Sequence, residues 1–497
     1  MRKKGIATFA SGWILPLFLL SGCMVGPNYQ PPEITISDTW NAEDQKTADV
    51  PIQKWWEVFN DDLLTKYVNV AAVQNYDIQT AEANILKARA LRQIAASKLF
   101  PQAAANLNGI KTYFSKNGPI FAIGEAAGNP GVTTSQVTGL PFAIQMPQIQ
   151  NLFNALFDAS WELDFFGKTR RTVESTIAEY ESLIDKRNDM LLTVLAEVAS
   201  NYIDLRSYQA KAALLQSNID FFSQNAEIVK FNLQYGLANQ LDLETIEGQL
   251  AVAKAALPDA VSEIYRCIYT LSILIGTPPE TLVDELFASA PLPGLPDNVA
   301  VGLRSDLLRR RPDVRFAERK LAEATADIGV AVASFFPTIS LLASGGFQSL
   351  LLPTLFEWGS RTWAWGADVN MPVFHGGRLV GNLHLSRAEQ AAAAATYQQT
   401  VLNALQEAET NLKKYQETAA AAKYYAENVT HSQNLVILTR ERYLKGLVNL
   451  INLLTNEITL ISAKLSELDS RTSELLALIS LYKALGGGWE REGCDQP

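Results

Sequence analysis

From Phe153 to Phe165 the chain alternates with a period of two. Phe153, Ala155, Phe157, Ala159, Trp161, Leu163 and Phe165 fall on one side, Asn154, Asp158, Ser160, Glu162 and Asp164 on the other. That is the pattern of a strand with one apolar and one acidic-polar face. It returns where Trp363, Trp365, Ala367, Val369, Met371 and Val373 alternate with Ala364, Gly366, Asp368 and Asn370. A partner strand is predicted over 337–349, with Ile339, Leu341, Ala343 and Phe347 on one side. Another, alternating less cleanly, is predicted over 101–114. Strands of this length exceed the soluble mean and suit a tilted crossing of a bilayer. Four strands cannot close a barrel, and open edges are not tolerated in hydrocarbon, so two or more copies must share one.

Between the strands the period changes to that of helices. Helix is predicted over 62–99 and 313–335, with alanines every seventh position at 81, 88 and 95 and again at 317, 324 and 331. Small residues at that spacing allow close helix approach along a coiled-coil-like seam. Two far longer helical stretches run from Gly167 to Gly236 and from Gly377 to Gly446. At ~1.5 Å per residue each approaches ~100 Å. Matched turns, YGLANQLDL and YLKGLVNLINLL, reverse the chain, and returning helices run to about Ile275 and Leu485. The glycines are placed to take the left-handed cap conformation.

These elements form two internal repeats. Ala81, Glu82, Ala88, Ala95, Phe100 and Pro101 recur at an offset of 236, and Gly167, Leu192, Glu197, Asn201, Gly236 and Leu243 at an offset of 210. The 26-residue difference is taken up by a Gly/Pro/Ser/Thr-rich loop within 116–150. The division is a leader at 1–22, an extended segment at 23–61, repeat 1 at 62–290, a proline-rich connector at 291–311, repeat 2 at 312–485 and a tail at 486–497. Each repeat reads helix, hairpin, long helix, turn, helix.

The start of the chain fixes the compartment. Arg2, Lys3 and Lys4 precede a short apolar run, the form of a secretory signal and too short to span a bilayer. Leu20-Ser21-Gly22-Cys23 resembles the lipobox of bacterial lipoproteins, which implies cleavage before Cys23 and a covalent lipid on it. Met24 follows, not aspartate, which favours the outer membrane. Loss of the leader takes the net charge from −10 to −13, which argues against nucleic acid as a partner. Cys267 lies among Ile264, Leu271 and Leu274 at core spacing, and Cys494 lies in a polar tail; the spacing supports no disulfide between them. The three histidines form no metal-spaced cluster, and neither a phosphate loop nor a serine elbow is present. An enzyme is not expected, nor any cofactor or metal beyond the lipid. Five scattered methionines suggest no soft-metal relay.

GPNYQPP after the lipobox, KWWEVFNDDLL, RRPDVRFAERKLAEATADIGVAVASFFPTISL and LYKALGGGW together resemble the outer-membrane factors of tripartite efflux systems, in their NodT-like lipoprotein branch. The resemblance covers essentially the whole mature chain. It implies an α+β membrane protein of TolC-like architecture: a homotrimer whose four strands per chain make a 12-stranded outer-membrane β-barrel, continuous with a long periplasmic α-helical barrel. It implies a passive gated duct for small molecules such as drugs, docked to a periplasmic adaptor and an inner-membrane transporter of the RND type. A protein-secretion duct of type I-like form is the alternative architecture.

On that reading Asp158, Glu162, Asp164, Asp368 and Asn370 face the barrel lumen. The turns form the periplasmic tip. Tyr235, Gly236, Leu241, Asp242, Gly446, Ile451, Asn452 and Thr455 are its candidate gate residues, with Leu241 and Ile451 as an apolar constriction and Tyr235, Asp242 and Asn452 as ties of the closed state. Thr455 stands where several relatives carry an acidic residue.

Overall fold

The computed structural model describes residues 24–32, 52–115, 148–296 and 304–490, with the backbone of a short strand pair, Val132–Thr134 and Ala143–Gln145. The leader, Cys23 and Cys494 lie outside the described residues.

A 3₁₀ segment, Ile52–Phe59, precedes α1 (Asp62–Gln74) and α2 (Tyr76–Ser97). Then come β1 (Gln102–Tyr113), β2 (Ile149–Leu163), α3 (Lys168–Gln234) and α4 (Gln240–Leu274). The second half runs α5 (Pro312–Ala333), β3 (Thr338–Ser349), β4 (Arg361–Asn370), α6 (Arg378–Leu444) and α7 (Leu450–Ala484). Short helical pieces at Pro279–Leu282, Val283–Leu286 and Arg304–Arg310 separate the halves. Corresponding helices agree in length: 22 residues in α2 and α5, 67 in α3 and α6, 35 in α4 and α7.

Three boundaries differ from the sequence reading. The stretch 62–99 is two helices, broken at Asn75. The Asn75 carboxamide accepts from the Asp77 and Ile78 amides and donates to the Leu274 carbonyl, while its backbone amide donates to the Ala71 carbonyl, so one residue ends α1, starts α2 and ties the break to α4. β2 ends at Leu163, so Asp164 is not a strand residue, and β4 ends at Asn370, leaving Met371 and Val373 beyond it.

The chain divides into two compact units, neither continuous in sequence. The first, drawn from Met1–Tyr29, Ala90–Ile177 and Glu323–Gln390, holds the sheet. β1, β2, β3 and β4 form an antiparallel meander in that order. The register sets Ala104, Asp158, Ser344 and Ala364 in one row, and Glu162, Ser340 and Asp368 in another. Every even-numbered strand residue therefore shares a face, because side chains alternate along each strand. The odd-numbered face carries Leu107, Phe157, Trp161, Leu341, Trp363 and Trp365.

The second unit, drawn from Gln30–Arg89, Ala178–Ala322 and Ala391–Pro497, is helical. Its largest core joins Trp55, Phe59, Leu64, Tyr67, Leu195, Ile268, Leu271, Leu475, Leu478 and Tyr482. Trp55 stacks on Tyr482 with centroids 5.7 Å apart. Beside it lies a buried polar knot. Arg206 donates to the Tyr202 hydroxyl at 3.0 Å and to Gln209 at 2.8 Å, while that hydroxyl donates to the Asp61 carboxylate at 2.9 Å. Burial pushes the Tyr202 phenol up to about 12. Arg311 donates to the Ala484 carbonyl, Asp313 and Glu407, and Trp489 donates to the Arg310 carbonyl at 3.0 Å. The RRPD and LGGGW stretches are thus two halves of one joint.

Candidate channel surfaces

The even face of the sheet is polar and held by side-chain ladders. Asn106 donates to the Asp158 carboxylate at 2.6 Å, and Ser344 bonds it from the other side. One row along, Asn154 donates to Asn108 at 2.8 Å and accepts from Gln348 at 2.9 Å. Asp158, Glu162 and Asp368 all lie on this face, and among its described strand residues there is no Lys or Arg. Asn370 closes the row opposite Thr338. A concavity lined by Gln102, Ala104, Asp158, Ser344, Ala364 and Gly366 hollows the middle of it. Asp164, assigned to the same face from sequence, does something else. Its carboxylate accepts from the Thr169 and Arg170 amides at 3.1 and 2.8 Å and pairs with the Arg170 guanidinium, capping the start of α3. The alternation ran on by chance into a helix cap.

The opposite face is a band of large apolar side chains. Trp365 is 79% exposed, Leu107 76% and Phe157 73%, a surface that water does not favour. Trp161 is fixed by its indole, which donates to the Leu99 carbonyl at 2.9 Å.

The two turns repeat one design. Gly236 and Gly446 have φ of +74° and +73°, and each ends its helix in a Schellman motif. Leu237 N–H donates to the Asn232 carbonyl and Leu447 N–H to the Arg442 carbonyl, at 2.8 and 2.9 Å. Asn239 and Asn449 then cap α4 and α7, accepting from the Asp242 and Asn452 amides. The Asp242 carboxylate returns a bond from the Asn239 amide, completing a capping box. The Asp242 carboxylate is therefore engaged in a local cap within this chain, whereas Asn452 contributes its backbone amide to the matching one. Leu241 and Ile451 are exposed, Tyr235 packs on Phe231, and the Thr455 hydroxyl donates to the Ile451 carbonyl. Behind the turns, Ile219, Phe222, Val229, Ile246 and Ala253 share one apolar cluster with Leu454.

Sequence reasoning missed a polar pair in the second hairpin. Asn456 of α7 donates to Thr439 of α6 at 2.7 Å, and Arg440 faces Glu457 at 3.8 Å. Burial raises the Glu457 carboxyl above its ordinary value. The residues 210 positions earlier are Val229 and Ile246, both buried and apolar. Aligning the repeats would have exposed this difference. Cys267 is a buried free thiol, pushed up to about 11 by burial. Among the described residues no group of His, Cys, Asp and Glu is arranged to hold a metal, and no helix is long and apolar enough to cross a membrane.

A two-faced antiparallel sheet carried with paired helices of 67 and 35 residues is the protomer of a channel-forming outer-membrane protein. Comparison with known proteins agrees and is more specific. The chain belongs to the outer membrane efflux protein family, whose model matches residues 67–277 and 303–487. It is 28% identical over 487 residues to the toluene efflux pump outer membrane protein TtgF of Pseudomonas putida, covering 95% of each chain. It is 28% identical over 479 residues to nodulation protein T of Rhizobium leguminosarum bv. trifolii, covering 95% of this chain and 96% of that one. Among solved structures, the outer-membrane channel OprN superposes with a TM-score of 0.82 at 26% identity, over 94% of this chain and all of that one.

Proposed function

We propose that this protein is the outer-membrane exit duct of a tripartite pump that exports small, predominantly apolar toxic molecules. The observation that carries the reading is the sheet: one face with a broad apolar band, one acid-bearing polar face, and two unpaired edges on β1 and β4 among the described residues. Such a sheet is satisfied in a bilayer only when copies close it, apolar face to lipid and polar face to water. Three copies of four strands give a 12-stranded barrel, and the long helices of each copy form the periplasmic part of the tube. Asp158, Glu162 and Asp368 then line the lumen and keep it wet. The turns at Gly236 and Gly446 form the tip, with Leu241 and Ile451 as its apolar constriction. Cys23 carries the lipid anchor. A periplasmic adaptor and an RND-type inner-membrane transporter complete the pump, and energy comes from the transporter, since the duct itself is passive. The toluene efflux pump name of TtgF supports small apolar cargo.

The test is deletion of the gene in its own host, followed by a panel of solvents, dyes and antibiotics. Sensitivity to at least one compound, restored by the plasmid-borne gene, is expected. Unaltered tolerance across the panel refutes efflux. In planar bilayers, Ile451→Ser is expected to raise single-channel conductance; an unchanged value removes Ile451 from the constriction.

A further inference from the structure

The GPNY stretch after the lipobox has no part in the duct described so far, yet it is tightly held. Arg171, on the first turn of α3, is 1% exposed, and its guanidinium is almost wholly given to residues near the start of the chain. Nε donates to the Val25 carbonyl at 3.2 Å, and Nη2 donates to the Gly26 carbonyl at 3.2 Å and to Asn28 Oδ1 at 2.8 Å. Nη1 pairs with Glu174 at 2.7 Å, which holds the fork from its own helix. The Val25 amide donates to the Phe166 carbonyl at 3.2 Å, so the segment also bonds the backbone linking β2 to α3.

Packing is equally close. Gly26 has φ of +93°, and a methyl added there would stand 2.6 Å from Gly329 Cα. One added at Gly329 would stand 2.7 Å from Arg171 Cδ. Gly26, Gly329 and Arg171 are therefore stacked with no room for a side chain between them. Met24, one peptide bond from Cys23, packs against Gly167. All these residues belong to the unit that holds the sheet.

We propose that Arg171 is a positioning residue for the membrane anchor: it seats Val25, Gly26 and Asn28 on the β2–α3 junction and so fixes where the lipid of Cys23 leaves the protein. The inference rests on the lipoprotein reading of Cys23. A buried guanidinium suits the task, because its rigid fork holds several acceptors at once and its removal leaves buried carbonyls without donors. The benefit is physical. One acyl chain binds a membrane only marginally, and two attachments reinforce each other most when the link between them is short and stiff. With the segment seated, no slack chain separates the lipid from the sheet.

The experiment uses the full-length protein in outer membranes, with Cys494→Ser and a nitroxide on Pro27→Cys, a position exposed to solvent. With Arg171 present the spectrum is expected to be that of an immobilised label. Arg171→Ala and Gly26→Ala are each expected to shorten the rotational correlation time severalfold. If Arg171→Ala does not assemble into heat-resistant oligomers, Gly26→Ala and Asn28→Ala supply the comparison. An immobilised label in every variant overturns the clamp, as does a mobile label with Arg171 intact. Incorporation of labelled palmitate, measured on the same samples, separates the two readings: its absence with an immobilised label overturns lipidation and leaves the seat standing.

Discussion

Asn456 donates its side-chain amide to Thr439 Oγ1 across 2.7 Å, joining α7 to α6 just behind the second turn. The matching pair in the first hairpin is Val229 and Ile246. Removing one partner of a buried hydrogen bond strands the other, at a cost of about 1–3 kcal/mol, whereas replacing both with apolar groups is nearly neutral. Thr439→Val alone is expected to lower thermal stability, and Thr439→Val with Asn456→Ile to restore most of the loss. Circular dichroism melts of the four proteins of this cycle measure the coupling; additive effects would mean the bond contributes nothing.

Asp185 gives the helical unit a pH dependence of unusual sign. Burial pushes its carboxyl from 3.8 to about 6, against the opposing pull of Arg315, whose Nε lies 3.0 Å away, and of Arg319. A carboxyl raised on folding holds its proton in the native state over a range where the unfolded chain has lost it. Its contribution to stability therefore grows as pH falls from about 6 towards 3.8 and is lost as pH rises through that window. The slope is at most about 1.4 kcal/mol per pH unit. With Asp185→Asn the wild-type-minus-variant stability difference is expected to grow in favour of wild type from pH 7 to pH 5, with the variant no less stable at pH 7. Denaturation at both pH values checks this; a variant less stable at pH 7 than wild type would refute it.

Adjacent glycines in β3 are expected to behave oppositely. A methyl at Gly346 would stand 2.1 Å from the Ala155 carbonyl oxygen, whereas one at Gly345 meets nothing within 4 Å. Overpacking costs typically about 1–3 kcal/mol, and here the obstacle is the backbone of the paired strand. Gly346→Ala is expected to abolish heat-resistant oligomers on gels, and Gly345→Ala to retain them.

The polar face of the sheet has acids and no bases among its described strand residues, so the barrel proposed above is expected to favour cations. Asp158→Asn, Glu162→Gln and Asp368→Asn combined are expected to move the potassium-to-chloride permeability ratio towards one. Reversal potentials in a salt gradient measure it, and an unmoved potential would place these residues off the conduction path.

The fold was legible where periodicity alone decides. The alternation at 153–163 and 363–369 located β2 and β4, and the 69-residue spacing of glycines located α3 and α6. Periodicity misled where a hydrogen bond overrides it. Asp164 continues the strand pattern but caps a helix, and Asn75 interrupts a helical pattern with its own side chain. What no local pattern carries is contact between distant segments. Arg171 meets Asn28 across 143 residues and Arg311 meets the Ala484 carbonyl across 173; both motifs were visible as odd stretches, but neither reveals its partner. Of the candidate gate, the turns were legible because glycine and asparagine have fixed uses there. The constriction proposed for Leu241 and Ile451 would rest on contacts between copies, which no single-chain pattern carries.

The unpaired margins of β1 and β4 also constrain the order of events in biogenesis. A single chain entering hydrocarbon would carry two rows of unsatisfied amides and carbonyls, each costing several kcal/mol. An inserted lone chain is thus too high in energy to be a waypoint. For the shared barrel proposed above, the copies are therefore expected to meet at the membrane surface before or while they enter it, which makes the oligomer the inserting species. Dilution of the chains then slows insertion more than proportionally.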